Sequence, residues 1–404
     1  MATVQACRAA NYKSGCGMKN QGFTMVELLI VMVIFIAVII ISTTAFESIV
    51  KRGGQQVRSA QTQITGRVGL EMMRSAISHA GYGLFWSFQT TPTTHVKEVT
   101  VQPETYLDVD SGLFDGFDDY VSNAAPRAVA VGATADGDYL VIKSTMLGMD
   151  AASRKWSYMN YSTSSGANAS YIRAIAQPDP AWGSSDRAII INSTFNAGES
   201  KQLAMNGAAF YYKFSDALDS NFMPTDSFQK RIVYGVASQN LNMPYNRTDF
   251  YLNMKDPNKP QSCNPGTGVL YMAVAGQNQN YVGADGEKLR YPLLDCVGDM
   301  QVVFDRIKDN GTFSASDELR DPDTGDVMDA AGIRAKLRTV RVYLLAQEGK
   351  KDPSFAYPGD SIKVGPDGLG TEWTPTTMSA KFGSDWRNYR WNVYSFTVNL
   401  KNLQ

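Results

Sequence analysis

The sequence predicts an α+β protein in which one long N-terminal α-helix is packed on a large β-rich head. Three observations predict it. Leu28 to Phe46 form 19 residues without a charge, nearly all Leu, Ile, Val, Met, Phe or Ala. Apolar residues then recur at three- and four-residue spacing as far as about His79, the period of one helix face. Beyond residue 83 the chain turns to short β-branched and aromatic runs broken by Gly, Asn, Asp and Pro clusters, the pattern of strands and turns.

At 1.5 Å per residue the apolar run roughly matches the ~30 Å hydrocarbon core of a bilayer, so residues 23–46 are expected to span a membrane. Residues 47–82 read as an amphipathic continuation. Val57, Ala60, Ile64, Val68, Met72 and Ala76 make the stripe expected to face the head, with Lys51, Arg52, Arg58, Arg67 and Arg74 off it. Gly53, Gly54, Gly66 and Gly69 are expected to weaken the helix by about 1 kcal/mol each and to let it bend near residues 53–54. Gly81-Tyr82-Gly83 should end it.

The head is residues 83–404. Strands are expected at Tyr139–Lys143, Ala188–Asn192, Ala208–Phe214, Arg231–Val236, Val269–Ala273, Met300–Phe304, Thr339–Leu345 and Trp391–Leu400. Alternation is clearest in the seventh, with Val340, Val342 and Leu344 on one face. A short helix is expected at Ala330–Lys336. No internal repeat is evident.

Hydrophobic content of 44% and charged content of 19% are those of a folded globular body. Residues 1–22 carry Arg8, Lys13 and Lys19 and no acid; removing those three from a net charge of −1 leaves −4 for the remainder. A mildly acidic body has no electrostatic footprint for nucleic acid. The three cations directly before the apolar run place residues 1–22 in the cytoplasm and the chain beyond about residue 46 outside it.

Glu27 stands at the mouth of the span. A lone acid in hydrocarbon costs on the order of 2–4 kcal/mol, so it needs a partner. An α-amino group freed by cutting between Gly22 and Phe23 supplies one. A plain signal anchor leaves Glu27 unexplained. A cleavable secretory signal, with Thr43-Thr44-Ala45 as its small-residue site, has an apolar region that is too long and is interrupted by Glu27.

Cys7 and Cys16 lie in the leader, on the reducing side. Cys263 and Cys296 lie in the exported body, where disulfides persist, and they allow one intramolecular pairing. Zinc is disfavoured because His79 and His95, the only histidines, are not spaced as its ligands.

Gly22, Phe23, Thr24, Glu27 and the apolar run resemble the class III leader and N-terminal helix of type IV pilins and type II secretion pseudopilins. The resemblance implies a prepilin peptidase that cuts after Gly22 and methylates the amine of Phe23. It also implies that Glu27 meets that amine on a neighbouring subunit as subunits leave the inner membrane for a filament. Arg74–Tyr82, Leu293–Val302, Val340–Leu345 and the closing Tyr394–Asn402 resemble PilW-type minor pilins. The likeness is strong over residues 17–52 and weak over residues 84–290. It implies a pilin-like fold with a periplasmic head, other minor and major pilins as partners, and a final place at an extracellular pilus tip, where the subunit primes or caps assembly. A J-type minor pseudopilin of a type II secretion system is the alternative within this class.

No phosphate loop, Gly-x-Ser-x-Gly elbow or helical His-Glu-x-x-His occurs, so an enzyme reading lacks a residue constellation. The cofactor candidates are acidic turns for calcium: Asp108-x-Asp110-x-Gly112, and Asp321-x-Asp323-x-Gly325-Asp326. Neither carries the full EF-hand pattern, and Asp and Gly also form ordinary solvated turns. A tip adhesin or calcium-binding module mounted on the helix is the reading of a different class. Its adhesive candidates are Trp86, Trp156, Trp182, Trp373, Trp386 and Trp391.

Overall fold

The computed structural model describes residues 24–89, 98–100, 103, 117–119, 124–159, 161, 172–173, 182–194, 200–214, 216, 219–225, 229–283 and 286–403, with the helix backbone alone through 47–65. Two units emerge, residues 1–56 and 57–404. Helix α1 (Met25–Ser78) runs through the boundary between them without a break at Gly53-Gly54.

Within the second unit, two main sheets make up the head. The smaller has the order β1-β7-β6-β9-β4-β5, with β8 also on β6. Its strands are β1 (Ser87–Phe88), β4 (Trp156–Met159), β5 (Ile172–Arg173), β6 (Arg187–Thr194), β7 (Ser200–Leu203), β8 (Tyr212–Lys213) and β9 (Lys230–Ala237). The larger has the order β17-β14-β12-β11-β10-β3-β2, with β13 also on β12. It comprises β2 (Val129–Thr134), β3 (Gly137–Ser144), β10 (Asn246–Asn253), β11 (Gly268–Ala275), β12 (Arg290–Ile307), β13 (Phe313–Ser316), β14 (Leu337–Glu348) and β17 (Arg390–Asn399). A small hairpin pairs β15 (Ile362–Val364) with β16 (Thr371–Trp373).

The larger sheet is antiparallel throughout and is covered on both faces. Val340, Val342 and Leu344 on β14 face the main core, which also takes in Met73, Ala76 and Ile77 of α1. Leu345, of the opposite parity, faces a second core with Ile362, Val364, Met378, Phe382 and Trp386. Period-two alternation thus feeds two layers at once.

Helix α2 (Ala330–Lys336) falls on the predicted residues and is capped by the Asp329 side chain. Helix α3 (Pro375–Phe382) was not predicted; Thr374 caps it and proline opens it, but eight residues are too few to display a period. Ala208–Phe214 was expected to be a strand, yet only Tyr212–Lys213 pairs. Asn206 and Ala209 instead close a tight turn on each other.

The head-facing stripe of α1 is corrected in part: Ala76 faces the head as expected, and the side chains of Val57, Ala60 and Ile64 lie outside the described residues. Val68 and Met72 are 61% and 44% exposed, while Gly66, Gly69, Met73, Ala76, Ile77 and Ala80 face the head. A Cβ on Gly69 would sit 1.9 Å from the Leu293 carbonyl oxygen, and one on Gly66 would sit 2.8 Å from Leu294 Cδ1. The glycines let the helix backbone rest directly on β12, a contact that an apolar-period count, which scores glycine as a weak point, misses at Val68 and Met72. The helix ends at Ser78, whose carbonyl accepts from Asn402 Nδ2 at 2.9 Å. Gly81 follows with φ +81°, and its N–H donates to Lys143 O.

Candidate functional site

Thr24 and Glu27 open α1 together. The Glu27 backbone N–H donates to Thr24 Oγ1 (3.3 Å), and the Thr24 N–H donates to Glu27 Oε2 (3.4 Å). This reciprocal capping box satisfies two donors that the helix itself leaves unpaired. The Thr24 hydroxyl also donates to Oε2. The Glu27 carboxylate is therefore turned back onto Thr24, with all three of these contacts closing between positions 24 and 27. The Thr-x-x-Glu spacing carries the signal for this box, which the reading of Glu27 as an unpaired acid passes over. Gly22 and Phe23 lie outside the described residues.

Within Met25–Phe46 an 18-residue window has a mean hydropathy of 3.1, and none of that window is buried among the described residues. The 22 residues of the span are about 33 Å of helix. The two threonines near its far end hide their polarity: Thr43 Oγ1 donates to Ile39 O, and Thr44 Oγ1 to Ile40 O and Ile41 O. Such back-bonding pairs both threonine hydroxyls within the helix itself. A helix apolar on all sides and uncovered by its own protein is suited to lipid or to other helices.

Residues 17–43 match the prokaryotic N-terminal methylation motif. That motif marks a type IV pilin-like or pseudopilin precursor, a substrate for prepilin peptidase with a membrane-anchoring helix and pilus-type assembly. No curated protein matches the chain, and no solved structure does.

Cys263 and Cys296 form a disulfide with Cα atoms 5.1 Å apart. Cys263 lies in the polar, Pro-rich stretch Pro260-Gln261-Ser262-Cys263-Asn264-Pro265, whereas Cys296 lies inside β12, an interior strand between β14 and β11. Its φ of +56° falls at a register shift against β11, where Gly268 pairs with Val297 and Leu270 with Leu294, so that Asp295 and Cys296 together oppose Val269 in a β-bulge. The loop is tied down further where Asn264 N–H donates to Gln347 Oε1 and Asn264 Nδ2 donates to Phe382 O.

Of the calcium candidates, Asp108 and Asp110 lie outside the described residues. In the second turn the Lys336 ammonium sits among carboxylates, 2.9 Å from Asp321, 2.7 Å from Asp323 and 2.9 Å from Asp309. Hydrogen bonds from Lys336 hold the Asp321 and Asp323 carboxyls below their usual range. Asp326 closes the turn through its backbone carbonyl, which accepts from Asp321 N–H. Among the described residues no group of three or more His, Cys, Asp or Glu is arranged to hold a metal.

One charged cluster had no counterpart in the sequence reading. Lys143 Nζ lies 2.7 Å from Glu98 and 2.5 Å from Asp119, all fully or nearly fully buried. Arg247 grips Asp249 through Nε and Nη2 and reaches Asp118 and Glu98 through Nη1. Tyr139 and Tyr281 donate to Asp249, and Tyr245 donates to Glu98. Burial pushes the Glu98 carboxyl up, but Lys143 and Arg247 outweigh it and hold it at about 2. Every member is paired, so the network fastens Glu98 and Phe117–Asp119 to β3 and β10.

The tryptophans divide. Trp386 and Trp391 are core. Trp86 is sandwiched by Lys201 and Arg334, Trp182 stacks on Phe214, and Trp373 packs on Phe382 and donates to Asp299. Trp156 alone of the six is exposed, at 37%.

Proposed function

We propose that this chain is a minor pilin of the PilW type that primes or caps a type IV filament. Prepilin peptidase cuts it between Gly22 and Phe23 and methylates the new amine. The subunit waits in the inner membrane with its head in the periplasm and then moves to the pilus tip. The observation that carries this reading is the exposed apolar span Met25–Phe46, most of which falls within the methylation motif at residues 17–43. In lipid, such a helix is an anchor; in a filament it packs against the helices of other pilins, where close helix–helix contact replaces lipid contact.

Size supports a tip position over the shaft. The head, residues 83–404, holds about four-fifths of the chain, and heads of that bulk crowd one another in a tightly wound helical array. The work of the molecule is assembly rather than catalysis, in keeping with a sequence that lacks a nucleophile elbow or phosphate loop.

Immunogold labelling of sheared filaments with antibody to the head tests the placement. Gold at one filament end, with far fewer filaments when the gene is deleted, is the expected result. Gold spaced along the shaft contradicts the tip assignment. Loss of protein secretion with intact pili points to the pseudopilin reading instead.

A further inference from the structure

The larger sheet ends in an open edge. β17 is its terminal strand and pairs with β14 alone, through ten consecutive residue pairs without a register shift. The Leu400 N–H donates to Arg338 O at 3.0 Å. That bond sets the phase of the ladder, in which even-numbered residues of β17 turn their backbone groups toward β14. Trp391, Val393, Ser395, Thr397 and Asn399 therefore direct theirs outward. Among the described residues none of these outward N–H and C=O groups has a hydrogen-bond partner.

A long edge is ordinarily blunted by a charged residue, a proline or a bulge. From Trp391 to Asn399 the strand carries none of the three. Asn392, Ser395, Thr397 and Asn399 are exposed, while Val393, Tyr394 and Phe396 are half-buried. The edge is thus a template for another strand, and its sequence says which. About Ser395 it reads the same in both directions: an aromatic residue on either side (Tyr394, Phe396), then a β-branched one (Val393, Thr397).

Ser395 is also one of the outward-facing residues. A two-fold axis through it sets all five outward residues in hydrogen-bonded pairs across two antiparallel copies of β17. Ser395 meets Ser395, Val393 meets Thr397, and Trp391 meets Asn399. Tyr394 then stands opposite Phe396 of the second copy, in the non-hydrogen-bonded positions where side chains come closest. No like charges meet, because Arg390 falls opposite Leu400 and is held by Asp352 of its own chain at 3.1 Å.

We propose that the head docks on a second copy of this chain through β17, the two strands antiparallel about Ser395, joining the two larger sheets into one. The contact is isologous and uses both edges, so it stops at two copies. It is built from the head alone and does not depend on the filament reading.

The test is analytical sedimentation of the full chain in detergent, at concentrations up to about 100 μM. A dimer is expected. Ser395→Lys sets two ammonium groups on the axis, and Thr397→Pro removes an outward N–H while sparing the ladder to β14. Each should weaken the dimer at least tenfold and melt like the parent. In a Cys7→Ser, Cys16→Ser background, Ser395→Cys should form a disulfide-linked dimer on mild oxidation, because hydrogen-bonded pairs place Cα atoms about 5.5 Å apart. Asn399→Cys should not, because its two copies stand eight residues, about 27 Å, apart along the joined strands. The cross-link decides where Thr397→Pro disturbs the fold. A monomer at every concentration overturns the proposal and leaves the edge to a strand of another protein. A dimer that Ser395→Lys leaves unchanged also overturns it, since the contact then lies elsewhere, as do equal cross-linking yields at positions 395 and 399.

Discussion

The backbone of Gly69 lies so close to Leu293 that a single added methyl group would stand 1.9 Å from the Leu293 carbonyl oxygen. Leu293 is in the first third of β12, an interior strand of the larger sheet. The contact therefore seats the outer part of α1 against the middle of the head rather than on its rim.

Gly69→Ala accordingly tests how the helix is held. An exposed helix gains about 1 kcal/mol from this change, but here the two backbones must separate, at about 1–3 kcal/mol. The expected net result is a lower melting temperature for the head, followed by circular dichroism. Val68→Ala, at the exposed neighbouring position, should shift the melt by far less. Equal melts for Gly69→Ala and the parent remove the close-contact account.

The disulfide closes 33 residues of separation, for which loop entropy gives about 3–4 kcal/mol. Reductant, or Cys263→Ser, should lower the melting temperature and make the head easier to digest. A non-reducing peptide map should show the two cysteines in one linked fragment. Free thiols at both positions in folded protein refute the bridge, and an unchanged melt on reduction refutes its stabilising role.

Strong acid and the rise from acid to neutral pH should act through different carboxyls. Glu98 is held at about 2 against an ordinary value of 4.5, so its contribution is complete above pH ~4.5 and is lost as pH falls toward 2. Asp138 is pushed up to about 7, by burial first and then by Asp299 and Asp317, although it accepts the Val302 N–H at 2.6 Å. The folded state binds that proton more tightly than the unfolded chain does, so this group makes stability fall as pH rises from about 4 to 7. Asp138→Asn keeps an acceptor for Val302 without the charge. It should flatten the fall and stabilise the protein at pH 7 by roughly 1–3 kcal/mol, the carboxyl being partly solvated. Denaturant melts at pH 4, 5.5 and 7 provide the check; a parallel pH profile for the variant contradicts the assignment.

Glu27→Ala should change assembly and leave the head intact. The variant loses one half of the capping box with Thr24, worth about 1 kcal/mol in a helix of 54 residues. The expected outcome is normal membrane insertion and cleavage with poor entry into filaments, measured by cell fractionation and by filament counts. Wild-type filament numbers remove the intermolecular role proposed for the acid.

What could be read from the sequence follows from where the controlling contacts lie. The apolar span is decided residue by residue, so Leu28–Phe46 announces itself. The alternation of Val340, Val342 and Leu344 reports a face that is buried in the structure. Asn246–Asn253 shows the opposite case: Asn-Arg-Thr-Asp-Phe-Tyr-Leu-Asn reads as polar loop, yet every residue of β10 is buried. Its Arg247 and Asp249 are satisfied by Glu98, Asp118, Tyr139 and Tyr281, partners 32 to 149 residues away that no local window contains. Val68 and Met72 were placed on the head-facing side for a related reason. Gly66 and Gly69 contribute by what they lack, and only the position of β12 reveals it.

Intact-mass and N-terminal peptide analysis of the membrane-bound protein tests the central claim most directly. The account predicts a chain beginning at Phe23 with one added methyl group on its amine, and a disulfide between Cys263 and Cys296. A chain beginning near residue 46, or one that retains residues 1–22 in cells with an active prepilin peptidase, contradicts it.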